Sequence, residues 1–136
     1  MEVLSHTDVA GHQLLIDLMG VDEKYTQKFA PSYKIMSRLI EVLLEGEVMG
    51  SSMYEGEDHF MGFCYSKFTY TVVSGYQDRN LITVDIRCPE SVSLKEVSDW
   101  LIHEYRPLQC VITEFRRGSS SSSAETHSKK VRSTIN

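Results

Sequence analysis

The chain is poor in the residues that mark several special classes of protein. Its 136 residues include three cysteines, three prolines and one tryptophan, which is too little cysteine for a disulfide scaffold and too little proline for a collagen-like or proline-rich segment. Its apolar runs are broken by charge within a few residues, far short of the roughly 20 needed to cross a bilayer. We therefore expect a globular protein with no membrane span.

The sequence also lacks the motifs of several catalytic classes. Cys64, Cys88 and Cys110 match no zinc-binding spacing, and no phosphate-binding glycine loop, His-Glu-x-x-His motif or nucleophile elbow is present. We expect reduced thiols and no bound metal. The N-terminus has no basic region leading into an apolar segment, so we predict a cytoplasmic protein rather than an exported one.

Charge of positive sign is scarce in most of the chain. There are 19 acidic and 14 basic side chains, but beyond Gly118 one is acidic and three are basic. An acidic body disfavours nucleic acid as a partner, because phosphates are neutralised by clustered Lys and Arg. It would accept a cationic small molecule. Residues 119–136 are rich in serine and poor in apolar side chains, so we predict that they form a disordered tail.

Hydrophobic periodicity predicts one α+β domain over residues 1–118. A first helix begins near Pro31 and ends at Gly46, with apolar residues spaced by three, four and seven. A second begins with Ser93 and Glu96 in capping-box spacing and stops at Pro107. Strands are predicted at 12–19, 48–54, 60–73, 81–88 and 108–115. This order favours an antiparallel β-sheet with two α-helices packed on one face.

The other face of the predicted sheet is not clearly polar. Both alternating sets of side chains in residues 63–73 contain aromatic or aliphatic groups, so water is a poor neighbour for either set. We therefore expect a homo-oligomer in which a second copy of the chain covers the open sheet face.

Four short motifs in a fixed order carry a family resemblance. They are Gly11-His12, Asp17-Leu18-Met19-Gly20, Val84-Asp85-Ile86-Arg87-Cys88 and Glu114-Phe115-Arg116-Arg117-Gly118. In this order they resemble the small prokaryotic S-adenosylmethionine decarboxylases, which serve polyamine biosynthesis. The resemblance covers roughly residues 11 to 118. It implies a fold similar to that of these decarboxylases and S-adenosylmethionine as the ligand.

The catalytic centre of that family is missing from this sequence. In the family a Glu-Ser-His tripeptide cleaves the backbone and converts its serine into a pyruvoyl cofactor, and no Glu-Ser-His occurs here. One alignment places Tyr65-Ser66-Lys67 on the tripeptide, and a gap-free alignment places Thr69-Tyr70 on its Ser-His. Both lose the acid and the histidines that would move protons. We therefore expect no cofactor, with a pyruvoyl group only if Ser66 self-processes.

The remaining candidate site residues follow from the resemblance and from residue chemistry. Cys88 matches the position of the family's catalytic cysteine, and Glu57 could hold a cationic group. Asp85 lies among apolar residues and should need a partner. The other candidates for binding substrate are a loop histidine and three tyrosines that could stack on adenine or contact a sulfonium: His59, Tyr54, Tyr65 and Tyr70.

Three functions remain open on the sequence alone. The first is decarboxylation of S-adenosylmethionine by a self-processed enzyme. The second is a pyruvoyl-independent lyase, similar to the S-adenosylmethionine lyases of bacteriophages, which release methylthioadenosine and homoserine lactone by positioning the substrate. The third is a catalytically silent paralogue that binds ligand or regulates an active subunit. We favour a protein that acts on S-adenosylmethionine and does not process itself.

Overall fold

The computed structural model describes residues 11–44, 46–117 and 124–131. Its centre is a seven-stranded antiparallel sheet in the order β2-β3-β4-β5-β1-β6-β7, which confirms the α+β class. The strands are β1 (Gly11–Met19), β2 (Gly50–Glu55), β3 (His59–Tyr65), β4 (Tyr70–Tyr76), β5 (Leu81–Pro89), β6 (Gln109–Arg117) and β7 (Ala124–Lys130).

Three α-helices accompany the sheet, one more than the sequence pattern predicted. They are α1 (Glu23–Thr26), α2 (Phe29–Arg38) and α3 (Leu94–Tyr105), and a π-helical turn at Leu39–Leu43 extends α2. The extra helix is a single turn capped by Asp22, too short to show a periodic pattern. The predicted capping box of α3 is confirmed, because the Ser93 and Glu96 side chains each accept the other residue's backbone N–H. None of the helices in the described ranges is long and apolar enough to span a membrane.

Alternation along the strands defines two faces of the sheet. In β1 and β5 the even-numbered residues are buried and the odd-numbered ones are partly or fully exposed, apart from Gly11 at the strand end. The buried set packs in one core with Met36 of α2, with Leu39 of the π-helical turn and with Val97 and Leu101 of α3. We call the side of the sheet that packs on the helices the helix face, and the opposite side the open face.

The predicted strand 60–73 is instead a hairpin of β3 and β4. The chain turns at residues 66–69, where the Ser66 N–H donates to the Thr69 carbonyl at 2.9 Å. The sequence here has neither glycine nor proline, so the usual turn signals are missing. The turn reverses the chain, and the faces predicted for a continuous strand therefore do not apply across it.

The structure also differs from the predicted disorder in part of the tail. Residues 124–130 pair antiparallel with β6, although all seven are exposed. Strand β7 is held by backbone pairing and by Val131, which packs against the core. A strand that buries no side chain leaves no alternating pattern to find. Residues 119–123 and 132–136 of the predicted tail lie outside the described residues.

Candidate functional site

The open face is a broad surface rich in aromatic and aliphatic groups. Its side chains alternate along each strand with those of the helix face. In β1, Leu15 follows the buried Leu14, and in β3, Phe63 lies between the buried Gly62 and Cys64. Such a surface is unusually apolar for a face that no helix in the described part of the chain covers. Its large, exposed apolar members are Leu15, Tyr54, Met61, Phe63, Tyr65 and Phe115.

Two carboxylates lie at the centre of the open face. Leu15 pairs with Asp85 and Asp17 pairs with Thr83, so Asp17 and Asp85 are diagonal neighbours on adjacent strands. Burial raises the pKa of Asp17. Burial raises the pKa of Asp85 as well, and the negative charge of Asp17 raises it further. The pair therefore concentrates negative charge on a surface that also carries Arg87, two residues from Asp85 on the same face of β5. A cation placed between the two carboxylates would be attracted to both.

This charge pair should lower stability at neutral pH. A carboxyl whose pKa is raised by folding holds its proton more tightly in the folded protein, so its ionised form destabilises the fold above that pKa. The penalty disappears once the pH falls below the ordinary value of 3.8. We expect Asp85→Asn to raise the melting temperature at pH 7, and we expect this gain to vanish near pH 3.5.

Asp99 on α3 is the matched control for this measurement. A hydrogen bond from Lys95 lowers the pKa of Asp99, so its ionised form is favoured by folding, opposite to Asp85. Thermal melts followed by circular dichroism should show no gain for Asp99→Asn at pH 7. A melting temperature of Asp85→Asn below that of the wild type at pH 7 would contradict the assignment.

Tyr70 makes a polar contact on the open face. Its hydroxyl donates to Oε1 of Gln13 at 2.9 Å, and this bond passes across β5, which lies between β4 and β1. The ring of Tyr70 is held on the open face on the same side of the sheet as Asp85. Tyr65, its partner in the β3–β4 register, stacks on Phe63 with ring centroids 6.1 Å apart. Tyr65, Tyr70 and Asp85 are thus brought onto one surface, as a shared ligand requires.

Tyr54 and His59 form a second aromatic group at the β2–β3 hairpin. The His59 ring stacks on Tyr76 at a centroid distance of 4.9 Å and lies 6.3 Å from the ring of Tyr54. Glu57 is exposed in the hairpin turn. This group lies at the opposite end of β3 from Tyr65, about 20 Å away at roughly 3.3 Å per residue. It is a separate corner of the open face.

Ser66 is directed away from the acidic pair. It is buried in the β3–β4 turn, and its hydroxyl lies against Gly46, where an added Cβ would come within 2.8 Å of the Ser66 Oγ. The nearby Thr69 hydroxyl donates to the backbone carbonyl of Arg87. These contacts place Ser66 on the side of the sheet that carries Ile40 and the helices.

Cys88 lies on the helix face within a polar cluster that the sequence did not predict. It pairs with His12 across β5 and β1, and Nδ1 of His12 is 2.7 Å from Oε2 of Glu114. The angle at that nitrogen does not meet hydrogen-bond geometry, but the short separation still places the carboxylate against the ring. Burial, and then the charge of Glu114, raise the pKa of Cys88 to about 12. The thiol is therefore protonated at neutral pH and is a poor nucleophile.

This environment predicts slow cysteine chemistry. Burial also raises the pKa of Cys110 to about 11 and raises that of Cys64, and all three thiols are buried and unpaired. We expect Ellman's reagent at pH 8 to leave the native protein unmodified over minutes and to titrate three thiols at once after unfolding in guanidinium. Rapid modification of one thiol in the folded protein would show that Cys88 or another cysteine is accessible.

The predicted catalytic residues do not converge on one site. Ser66 and Glu57 lie at opposite ends of β3, and Cys88 lies on the helix face. The predicted binding residues divide into Tyr65, Tyr70 and Asp85 on one part of the open face and the hairpin group on another. Sequence reasoning missed Asp17 and Gln13 as site residues. Both residues have odd numbers in β1, so they lie on the same face of that strand. Only the pairing of β1 with β5 shows that Asp85 lies on this face as well.

Comparisons with known proteins add no family to this description. No protein-family model matches the chain, and no curated protein sequence matches it.

Proposed function

We propose that the chain binds S-adenosylmethionine on its open face and cleaves it without a pyruvoyl cofactor, releasing methylthioadenosine and homoserine lactone. The observation that carries the proposal is the acidic pair of Asp17 and Asp85 on a face that also exposes large aromatic and aliphatic side chains. S-adenosylmethionine has the complementary groups: an ammonium, a sulfonium and an adenine ring. The family resemblance in the sequence suggested the same ligand.

Each group of the substrate has a chemically suited partner on this surface. The ammonium would lie between Asp17 and Asp85, where its charge relieves the repulsion of the two carboxylates. The rings of Tyr65 and Tyr70 would contact the sulfonium or stack on adenine. Gln13, which accepts a hydrogen bond from the Tyr70 hydroxyl, would fix the orientation of the Tyr70 ring. In this arrangement the protein positions the substrate and supplies no nucleophile.

The reaction itself needs only the substrate. A carboxylate oxygen of the methionine part forms a bond to its own γ carbon, and the carbon–sulfur bond breaks with its electron pair moving to sulfur. The negative carboxylate and the positive sulfonium disappear together, and no proton has to be transferred. An apolar surface favours this step because opposite charges are neutralised in the transition state. Holding the substrate in a folded conformation supplies the rest.

Self-processing at Ser66 is not part of this proposal. Ser66 is buried at the end of β3, and Glu57 lies beyond the opposite end of that strand, too far away to assist. The hairpin group of Tyr54, Glu57 and His59 has no role in the proposed reaction centre. We propose that it contributes to binding at the rim.

The open face is too flat to exclude water by itself, and buried ligand sites are normally concave. We propose that a second copy of the chain covers this face and closes the site, forming a homo-oligomer. Three unpaired thiols suit the reducing cytoplasm that we propose as its location.

Mass spectrometry tests the function directly. The purified chain is incubated with S-adenosylmethionine, the small molecules are identified, and the intact protein mass is measured before and after. We expect methylthioadenosine, homoserine lactone and one uncut chain. Two fragments with a pyruvoyl-blocked terminus would support decarboxylation instead. Binding without products would support a silent paralogue, and neither binding nor products would reject the proposed ligand.

A further inference from the structure

The two edges of the sheet are protected very differently. At one edge, β7 covers β6 and carries Lys129 and Lys130, and charged side chains, lysine above all, are a common means of blocking edge pairing. At the other edge, β2 has one strand neighbour within the described ranges, β3. From Gly50 to Tyr54 it contains no charge and no proline. Edge strands without such protection pair readily with another strand.

The hydrogen-bonding direction of β2 follows from its pairing with β3. The N–H of Gly56, next to the strand, donates to the carbonyl of His59. Gly56 and His59 are the next pair in the β2–β3 register after Glu55 and Phe60. In an antiparallel pair every second residue of a strand hydrogen-bonds to the neighbouring strand. Ser52 and Tyr54, like Gly56, therefore bond to β3. The N–H and C=O groups of Ser51, Met53 and Glu55 are therefore directed to the free edge.

We propose that two copies of the chain pair through β2, antiparallel across a two-fold axis at Met53. In this register Met53 faces Met53 of the second copy, and Ser51 faces Glu55. All three outward residues of each strand then pair with outward residues, which gives six backbone hydrogen bonds. Any register that centres the axis elsewhere pairs fewer of them. The two sheets become one sheet of fourteen strands.

Side chains on the helix face agree with this register. The Glu55 carboxylate accepts the Phe29 N–H at 2.9 Å and lies 3.9 Å from Nζ of Lys28, so its charge is already balanced where it would meet the Ser51 hydroxyl of the second copy. That pairing matches a donor with an acceptor. The neutral centre of the strand avoids the repulsion that two chains of net charge −5 would otherwise face.

An apolar groove beside β2 leaves room for the second copy. It has a volume of about 530 Å³ and is lined by Phe29, Ala30, Tyr33 and Met53 on its apolar side, and Met53 is 53% exposed. Helix α2 packs near β3, and the β3 strands of the two copies would be about 14 Å apart at ~4.8 Å per strand spacing. That gap is wider than the 8–10 Å of directly packed helices. It can be filled by Met53 and Tyr33 from both copies.

Cross-linking of the full chain tests the pairing. Paired Cα atoms at the axis would lie about 5.5 Å apart, within the range of a disulfide. Met53→Cys should therefore give a covalent two-chain species on mild oxidation. Val42→Cys is the control: Val42 is 62% exposed but lies on the π-helical turn, so this variant should stay monomeric on a denaturing gel. Absence of the Met53 cross-link would overturn the proposal.

The solution mass provides a second, independent test. Met53→Pro removes an outward N–H that β3 does not use, so the single-chain fold should persist, as far-UV circular dichroism can check. Sedimentation velocity should give a wild-type assembly of at least twice the 15.5 kDa chain, and Met53→Pro should halve it. An unchanged mass in Met53→Pro would show that the chains associate through another surface, such as the open face, and would overturn β2 pairing.

Discussion

Alanine in place of Phe60 is expected to lower the free energy of unfolding by about 3–5 kcal/mol, the usual range for a buried phenylalanine. Phe60 is fully buried on the helix face of β3. Its ring lies against Gly75, where an added Cβ would come within 2.1 Å of it, and 6.0 Å from the ring of Phe29. Removing the ring leaves a cavity between α2 and β4. Chemical denaturation with urea measures the loss.

Phe63 is the matched control for Phe60, because it lies on the same strand and faces the other way. It is 41% exposed on the open face, so Phe63→Ala should cost less than about 1 kcal/mol in the isolated chain. Its effect should fall instead on ligand binding, through loss of the ring that stacks on Tyr65. Equal destabilisation by the two substitutions would mean that the two faces are buried to the same extent.

Asn in place of Asp85 is expected to weaken binding of S-adenosylmethionine about 10- to 100-fold, and Asn in place of Asp17 should act similarly. A hydrogen bond to a charged group contributes about 1.5–3 kcal/mol, and each 1.4 kcal/mol is a factor of ten. The substitution keeps the shape of the side chain and removes only the charge. Isothermal titration calorimetry gives the affinity, and product analysis gives the rate.

The acidic pair has a signature that a purely structural role would lack. Asp85→Asn should raise thermal stability at neutral pH while it lowers ligand affinity, because the charges that repel each other in the free protein are the ones that we propose to hold the cation. Asp99→Asn should leave affinity unchanged, since Asp99 is exposed on α3 and paired with Lys95. Unaltered affinity in both Asp85→Asn and Asp17→Asn would remove the acidic pair from the site.

Local patterns were sufficient to predict the two longer α-helices and most strands. The 3.6-residue periodicity located α2, and the capping box located the start of α3. Strands β1 and β5 were predicted within one residue at each end, because their alternation is complete and is bounded by turn residues. These features depend on neighbours a few positions apart, which the sequence displays directly.

Other features depend on contacts between distant residues, and these the sequence did not reveal. The reversal at Ser66 was hidden because no turn residue marks it. Strand β7 was hidden because it pairs through its backbone and leaves its side chains exposed. The contact between His12 and Glu114 joins residues about one hundred positions apart. Each is decided by which strands become neighbours.

By itself, the sequence determined the class of the fold, the acidic character of the body and the absence of a Glu-Ser-His motif. Only the tertiary structure decided which candidate residues share a surface. It separated Ser66 from Glu57, and it brought Asp17 beside Asp85. The physical reason is that a strand's alternation tells which residues share one of its faces, whereas strand order and register determine which side chains of different strands meet.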